Sequence, residues 1–146
     1  SHMSDPSTSK GHGGYCLTVA GGPGTWLSKR LPLLTTSSAE TEYVAAARAA
    51  QAAIYVRQLL AELGFDLEPT PLFMDSQSAM CIANNPVVKG GSKHIRLRFH
   101  VLRELIADGT IAVKYEPGKT LLADMLTKSL PRPALETCRE QVLHAR

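Results

Sequence analysis

The chain has 146 residues, 44% hydrophobic and 20% charged, with a net charge of +3; that is enough apolar surface for the core of one domain, and it excludes wholesale disorder. The mildly basic balance permits a polyanionic partner without requiring one. Cys16, Cys81 and Cys138 show no C-x-x-C spacing, which argues against a disulfide framework or a zinc site and for a reducing, intracellular compartment. No apolar run approaches the roughly 18 residues of a membrane span, and no signal peptide is visible.

Ser1-His2-Met3 reads as a cloning scar in which Met3 is either a cloning-site methionine or the native start. Residues 4–14, rich in Ser and Gly, read as a flexible N-terminal segment ahead of a domain spanning 15–146. Tyr15 to Ala20 predicts a strand, Gly21-Gly22-Pro23-Gly24 a turn, and Thr25 to Ser28 the second arm of a hairpin. Leu31 to Thr36 supplies a candidate third strand.

Ser37-Ser38-Ala39-Glu40 has capping-box form and opens a helix that runs to Leu63, where Gly64 stops it. Ala45, Ala49, Ala52, Val56, Leu59 and Leu63 make one apolar stripe along it, and extending that stripe backwards reaches Glu42. A carboxylate at the head of a buried stripe is unusual, since burying an unpaired charge is costly. The competing reading is a first-turn glutamate favoured by the helix dipole. Glu40 falls on the outer face.

Leu72-Phe73-Met74 has the length of a buried strand and ends on Asp75, after which Ser76 caps a helix with Ala79, Met80 and Ile82 inward. Asp75 therefore sits where a strand hands over to a helix, the edge at which open α/β sheets bind ligands. Asn84-Asn85-Pro86 ends that helix. A second long helix, Ser92 to Ala107, carries Ile95, Phe99, Leu102 and Ile106 on its apolar side and is followed by a strand over Thr110 to Tyr115. Thr120 reads as the cap of a helix bearing Leu121, Leu122, Asp124, Met125 and Leu126, and a last helix starts at Pro133 and docks through Leu135, Cys138 and Val142.

Three acids thus stand in unusual places: Glu42 heading a stripe, Asp75 ending a strand and Asp124 after the last strand. Carboxylates brought together repel unless a cation lies between them, and oxygen donors suit magnesium or manganese. Two such ions about 4 Å apart promote phosphodiester hydrolysis.

The segments SSAETEYVAAARAA, LFMDSQSAMCIANNP, KHIRLRFHVLRE and VKYEPGKTLLADMLTKSLP resemble the ribonuclease H domain of copia-type retrotransposon polyproteins, in order and over nearly the whole chain. The resemblance implies an RNase H-like α/β fold, a mixed five-stranded sheet with flanking helices, and cleavage of the RNA strand of an RNA–DNA hybrid with two Mg2+ or Mn2+ ions. The family carries four acidic ligands, and three of them carry over to Glu42, Asp75 and Asp124. Gln77 of the DSQ motif is placed to contact the hybrid, and Lys93, Arg96, Arg98 and Arg103 to grip its phosphates, the competing reading of that basic run being a solvated helix face. Trp26 and Tyr15 are assigned to packing.

This chain departs from the family pattern at its start. Ser4-Asp5-Pro6 aligns with a loop that follows the family's opening strand, so that strand and its aspartate are missing from this sequence, either because the fragment is cut short or because the native protein begins at Met3; Asp5 is a weak substitute. The absent strand is central in the family's sheet, and its loss is expected to expose edges on both neighbours. Two functions follow. One is an active, intracellular ribonuclease H of a cytoplasmic particle or the nucleus. The other is a catalytically defective descendant that serves as a binding or dimerisation module, with a homodimer or swapped partner filling the gap.

Overall fold

In a computed structural model, the structure describes residues 11–31, 38–84 and 93–143. The order is strand β1 (His12–Val19), strand β2 (Gly22–Arg30), helix α1 (Ser38–Glu62), strand β3 (Thr70–Met74), helix α2 (Gln77–Asn84), helix α3 (Lys93–Ala107), strand β4 (Ile111–Tyr115), a 3-10 helix (Leu122–Leu126) and helix α4 (Arg132–Leu143). No helix among the described residues is long and apolar enough to cross a membrane.

The strands form two small sheets, antiparallel β1–β2 and parallel β3–β4. The described residues thus show a mixed α/β fold with two small sheets. Among the described residues β1 pairs only with β2, and β3 only with β4. Helix α1 packs against both β1 and β3 and is what holds the two sheets in one body.

Both arms of the hairpin are longer than the apolar pattern indicates. Its turn is the pair Ala20-Gly21, with φ of 51° and 78°, which matches the mirror-image two-residue turns that suit twisted strands. Gly22 and Pro23 therefore belong to β2, and the register slips between Leu17 and Thr18, leaving Gly24 as an extra residue. His12 to Gly14 also pair, although their composition reads as loop. The two glycines are there for closeness. A Cβ on Gly13 would meet Leu31 at 3.2 Å, and one on Gly14 would meet the Leu27 carbonyl at 2.7 Å and Thr127 at 2.8 Å. Gly13 thus faces the α1 side of the sheet and Gly14 the 3-10 helix.

Leu31 is buried and donates its N–H to the Gly11 carbonyl at 2.8 Å; the rest of the candidate third strand and the Ser37 cap lie outside the described residues. The core is built on the N-terminal half of α1, where Thr41, Tyr43, Val44, Ala45, Ala46, Ala47, Ala50 and Ala53 are buried. Met74, Ala79, Ala83, Leu102 and Ile111 close over it. The stripe Ala45–Leu63 is therefore corrected: Leu59 and Leu63 are 49% and 66% exposed. Burial follows the neighbours of α1, which surround its first half, and the second half projects past them.

Gly64 ends α1 with φ of 86°, and Gly109 ends α3 with φ of 77°, the left-handed conformation that glycine adopts without a steric penalty. In β3 only Met74 is buried, while Phe73 is 47% exposed, so that strand covers the core with one face. α4 docks through Cys138 and Val142, and Leu135 stays exposed. Trp26, expected to pack, is 62% exposed on β2.

Candidate acidic site

The parallel pair β3–β4 brings the acids together at its carboxyl end, where strand order leaves backbone groups and loops free to build a site. Met74 is the last residue of β3, and its carbonyl accepts the Glu116 N–H at 2.9 Å. That bond carries the pairing one step past β4 and lays the loop after it beside Asp75. Ser76 then turns the chain into α2 as the sequence predicts, its hydroxyl accepting the Ala79 N–H at 3.1 Å.

The loop that follows β4 is wound on itself. Thr120 donates its N–H to the Pro117 carbonyl at 2.9 Å, and Leu121 donates to the same oxygen at 3.2 Å. The Thr120 hydroxyl bonds Glu116 and Pro117 instead of capping a helix, and the element that follows is the short 3-10 helix, with no side-chain cap. This corrects the longer helix expected from Thr120. Tight winding places Gly118 against the acids. A Cβ there would lie 3.1 Å from Asp75 Oδ2 and 3.4 Å from Asp124 Oδ2.

Asp124 sits inside the 3-10 helix, where its carbonyl accepts the N–H groups of Thr127 at 3.1 Å and Lys128 at 2.9 Å. That turn sets Lys128 over its own carboxylate. Lys128 Nζ lies 2.7 Å from Asp124 Oδ2 and 3.7 Å from Asp75 Oδ2. Burial disfavours the ammonium, but the hydrogen bond to Asp124 and the charges of Asp124, Asp75 and Glu42 outweigh it and hold the lysine above its usual range. The third acid, half-buried Glu42 on α1, therefore acts on the same ammonium. Asp75 and Asp124, far apart in sequence, thus meet at one ammonium, and the charge of Glu42 makes the smallest of these contributions.

The 3-10 helix is fastened to the hairpin from below. The Ser28 hydroxyl donates to the Leu126 carbonyl at 2.6 Å, and His12 Nε2 lies 3.0 Å from the same hydroxyl oxygen. Gly14 allows this close approach. Gly14→Ala is expected to cost about 1–3 kcal/mol, because the new methyl meets a backbone oxygen at 2.7 Å that cannot rotate away. A lowered urea midpoint at unchanged slope would show it.

The other candidate residues fall in different places. Gln77 is the exposed first residue of α2, two positions from Asp75. Lys93, Arg96 and Arg98 belong to α3, and their side chains lie outside the described residues. Arg103 is half-buried and close enough to Tyr43 to act on its phenol, which burial pushes up to about 12 against the opposing charge of Arg103. It faces α1 in part. A separate hollow of about 420 Å3 at the other end of β3 includes Arg57, Asp66, Leu105 and Thr110. Its guanidinium is committed to the Glu68 carbonyl at 2.6 Å, the Thr70 hydroxyl at 2.9 Å and the Leu67 carbonyl at 3.2 Å.

Sequence reasoning missed Lys128 and Gly118. The i,i+4 spacing of Asp124 and Lys128 was a usable signal, since such pairs meet on one side of a helical turn. Gly118 carried only a turn signal, and its proximity to two carboxylates follows from folding.

Fold and site together define an α/β domain with an acidic centre at the carboxyl ends of a parallel strand pair. Its homologues are retrovirus-related Pol polyproteins from transposons. The chain is 35% identical over 138 residues to the retrovirus-related Pol polyprotein from transposon TNT 1-94 of Nicotiana tabacum, a match covering 94% of the chain and 10% of that polyprotein. It is 32% and 31% identical, each over 130 residues, to those from transposons RE2 and RE1 of Arabidopsis thaliana, covering 88% of the chain and 9% of each relative. The chain thus spans about a tenth of the length of these curated relatives. No family model and no solved structure matches it.

Proposed function

We propose that this chain is a retrotransposon-type ribonuclease H domain, which hydrolyses the RNA strand of RNA–DNA hybrids at a divalent-ion site formed by Glu42, Asp75 and Asp124. The observation that carries the reading is that Asp75 and Asp124, which follow the two parallel strands, meet at one cation, the Lys128 ammonium, at 3.7 Å and 2.7 Å. The stretches SSAETEYVAAARAA, LFMDSQSAMCIANNP and LADMLTKSLP, which hold the acids, resemble copia-type ribonucleases H, and the homology to Pol polyproteins supports the same reading.

The residues fit divalent ions by donor chemistry. Three carboxylates are hard oxygen donors suited to Mg2+ or Mn2+, an ammonium already stands in for a cation, and Gly118 keeps the space beside Asp75 and Asp124 free of a side chain. Among the described residues no three acidic, His or Cys groups stand close enough to ligate an ion as they are. Asp75 and Asp124 are held around the Lys128 ammonium instead. Two bound ions would supply activation of water and stabilisation of the leaving oxygen. The protein's own part is to hold the acids: Asp75 by the end of β3, Asp124 by its 3-10 helix and Glu42 by α1. Gln77, beside Asp75, is assigned to the hybrid near the cut, and Lys93, Arg96, Arg98 and Arg103 of α3 to its phosphates. Incubation with an end-labelled hybrid and Mg2+ or Mn2+ should give cuts in the RNA strand alone; an intact RNA strand at both metals contradicts the reading.

The divided sheet favours a second reading, a non-catalytic binding or dimerisation module. Among the described residues β1 and β3 each have a partner on one side only and share the support of α1, so a strand lying between them would complete one sheet by edge pairing. A second copy or an exchanged segment supplies such a strand. Light scattering that finds a dimer without nuclease activity selects this reading, and an active monomer eliminates it.

A further inference from the structure

We propose that Lys128 is a built-in placeholder for the divalent cation: its ammonium holds the carboxylates in the ion-free protein and must swing away when an ion takes them. The proposal rests on the reading of this centre as a divalent-ion site and adds a control on when that site fills.

The geometry makes the two cations exclusive. Lys128 Nζ is 2.7 Å from Asp124 Oδ2, and a magnesium ion bound to that oxygen would lie about 2.0–2.1 Å from it. Two positive charges on one oxygen repel strongly, so one must leave. Lysine is built to leave. Its charge is a compact point on a flexible stem, and its side chain is 38% exposed against 22% for Asp75 and 13% for Asp124. Of the three side chains Lys128 is the most open to solvent. Its backbone is pinned by the N–H bond to the Asp124 carbonyl at 2.9 Å, so rotation of the side chain alone clears the oxygens. Until it does, the lysine offsets the mutual repulsion of Asp75, Asp124 and Glu42.

A placeholder and an ordinary structural ion pair differ in the sign of one effect. Removing either lowers the stability of the ion-free protein. Only removal of a placeholder also tightens ion binding, because the ion no longer displaces a competitor. Mn2+ titration calorimetry on the wild-type chain, Lys128→Met and Lys128→Arg, with thermal melts in EDTA and in Mn2+, separates the cases. Lys128→Met is expected to bind Mn2+ about tenfold more tightly, a modest factor because the pair is partly solvent-screened. It should melt lower in EDTA, gain more than wild type from Mn2+, and be restored to wild-type affinity in Lys128→Arg. Lys128→Gln serves in the same assay should the methionine variant misfold. Equal or weaker Mn2+ binding by these variants overturns the placeholder role and leaves the divalent-ion site standing. Absence of Mn2+ binding in wild type and variants alike overturns both.

Discussion

Asp75→Asn is expected to lower metal-dependent cleavage of an RNA–DNA hybrid by at least about a hundredfold, since even residues that merely support a metal ligand cost 10–100-fold when changed. The substitution preserves shape and removes a charge. Asp75 lies 3.7 Å from Lys128 and is partly exposed, so the ion pair contributes little to folding, about 0–1 kcal/mol. The variant should therefore melt close to wild type. Rate and stability then separate: cleavage falls while the thermal transition stays. An Asp75→Asn protein that cuts at the wild-type rate would remove Asp75 from the ion site.

Leu102→Ala is expected to destabilise the fold by about 2–5 kcal/mol, toward the upper end of that range. Leu102 of α3 is fully buried, and much of what surrounds it is alanine: Ala46, Ala47, Ala50 and Ala53 of α1 and Ala79 and Ala83 of α2 share its cluster. Alanine has no rotamer with which to refill a void, so the cavity would persist, and cavity volume sets the cost. Urea unfolding would show a reduced midpoint at an unchanged slope. A loss of about 2 kcal/mol would mean that α3 settles onto α1, since a site that collapses loses only the transfer energy.

Much of this architecture was legible because its signals are local. The strand-acid-helix passage through Met74, Asp75 and Ser76 is there, with Ser76 capping α2. Gly64 and Gly109 end their helices in the left-handed conformation. The suspicion attached to Glu42, Asp75 and Asp124 comes from charges placed next to apolar positions, and of these Asp75 and Asp124 lie 3.7 Å and 2.7 Å from one ammonium.

The remainder was hidden for identifiable reasons. In α1, alanine occurs at so many positions that several stripes fit the same sequence, and tertiary neighbours decide which is buried. His12-Gly13-Gly14 reads as loop because close approach, which selects glycine, leaves no apolar pattern. The turn at Ala20-Gly21 was displaced in the sequence reading by the stronger turn composition of Gly22-Pro23-Gly24, which the bulge absorbs. The division of the sheet is a non-local property. It depends on which strand edges find partners, and nothing within β1 or β3 encodes it.

The central claim is that Glu42, Asp75 and Asp124 hold divalent ions. Crystals soaked in Mn2+ and measured at the manganese absorption edge test it directly. An anomalous peak is expected between the carboxylates of Asp75 and Asp124, in contact with Glu42, with the Lys128 ammonium rotated off Asp124 Oδ2. Carboxylates that keep Lys128 at its present 2.7 Å, with no anomalous peak beside them at millimolar Mn2+, would contradict it.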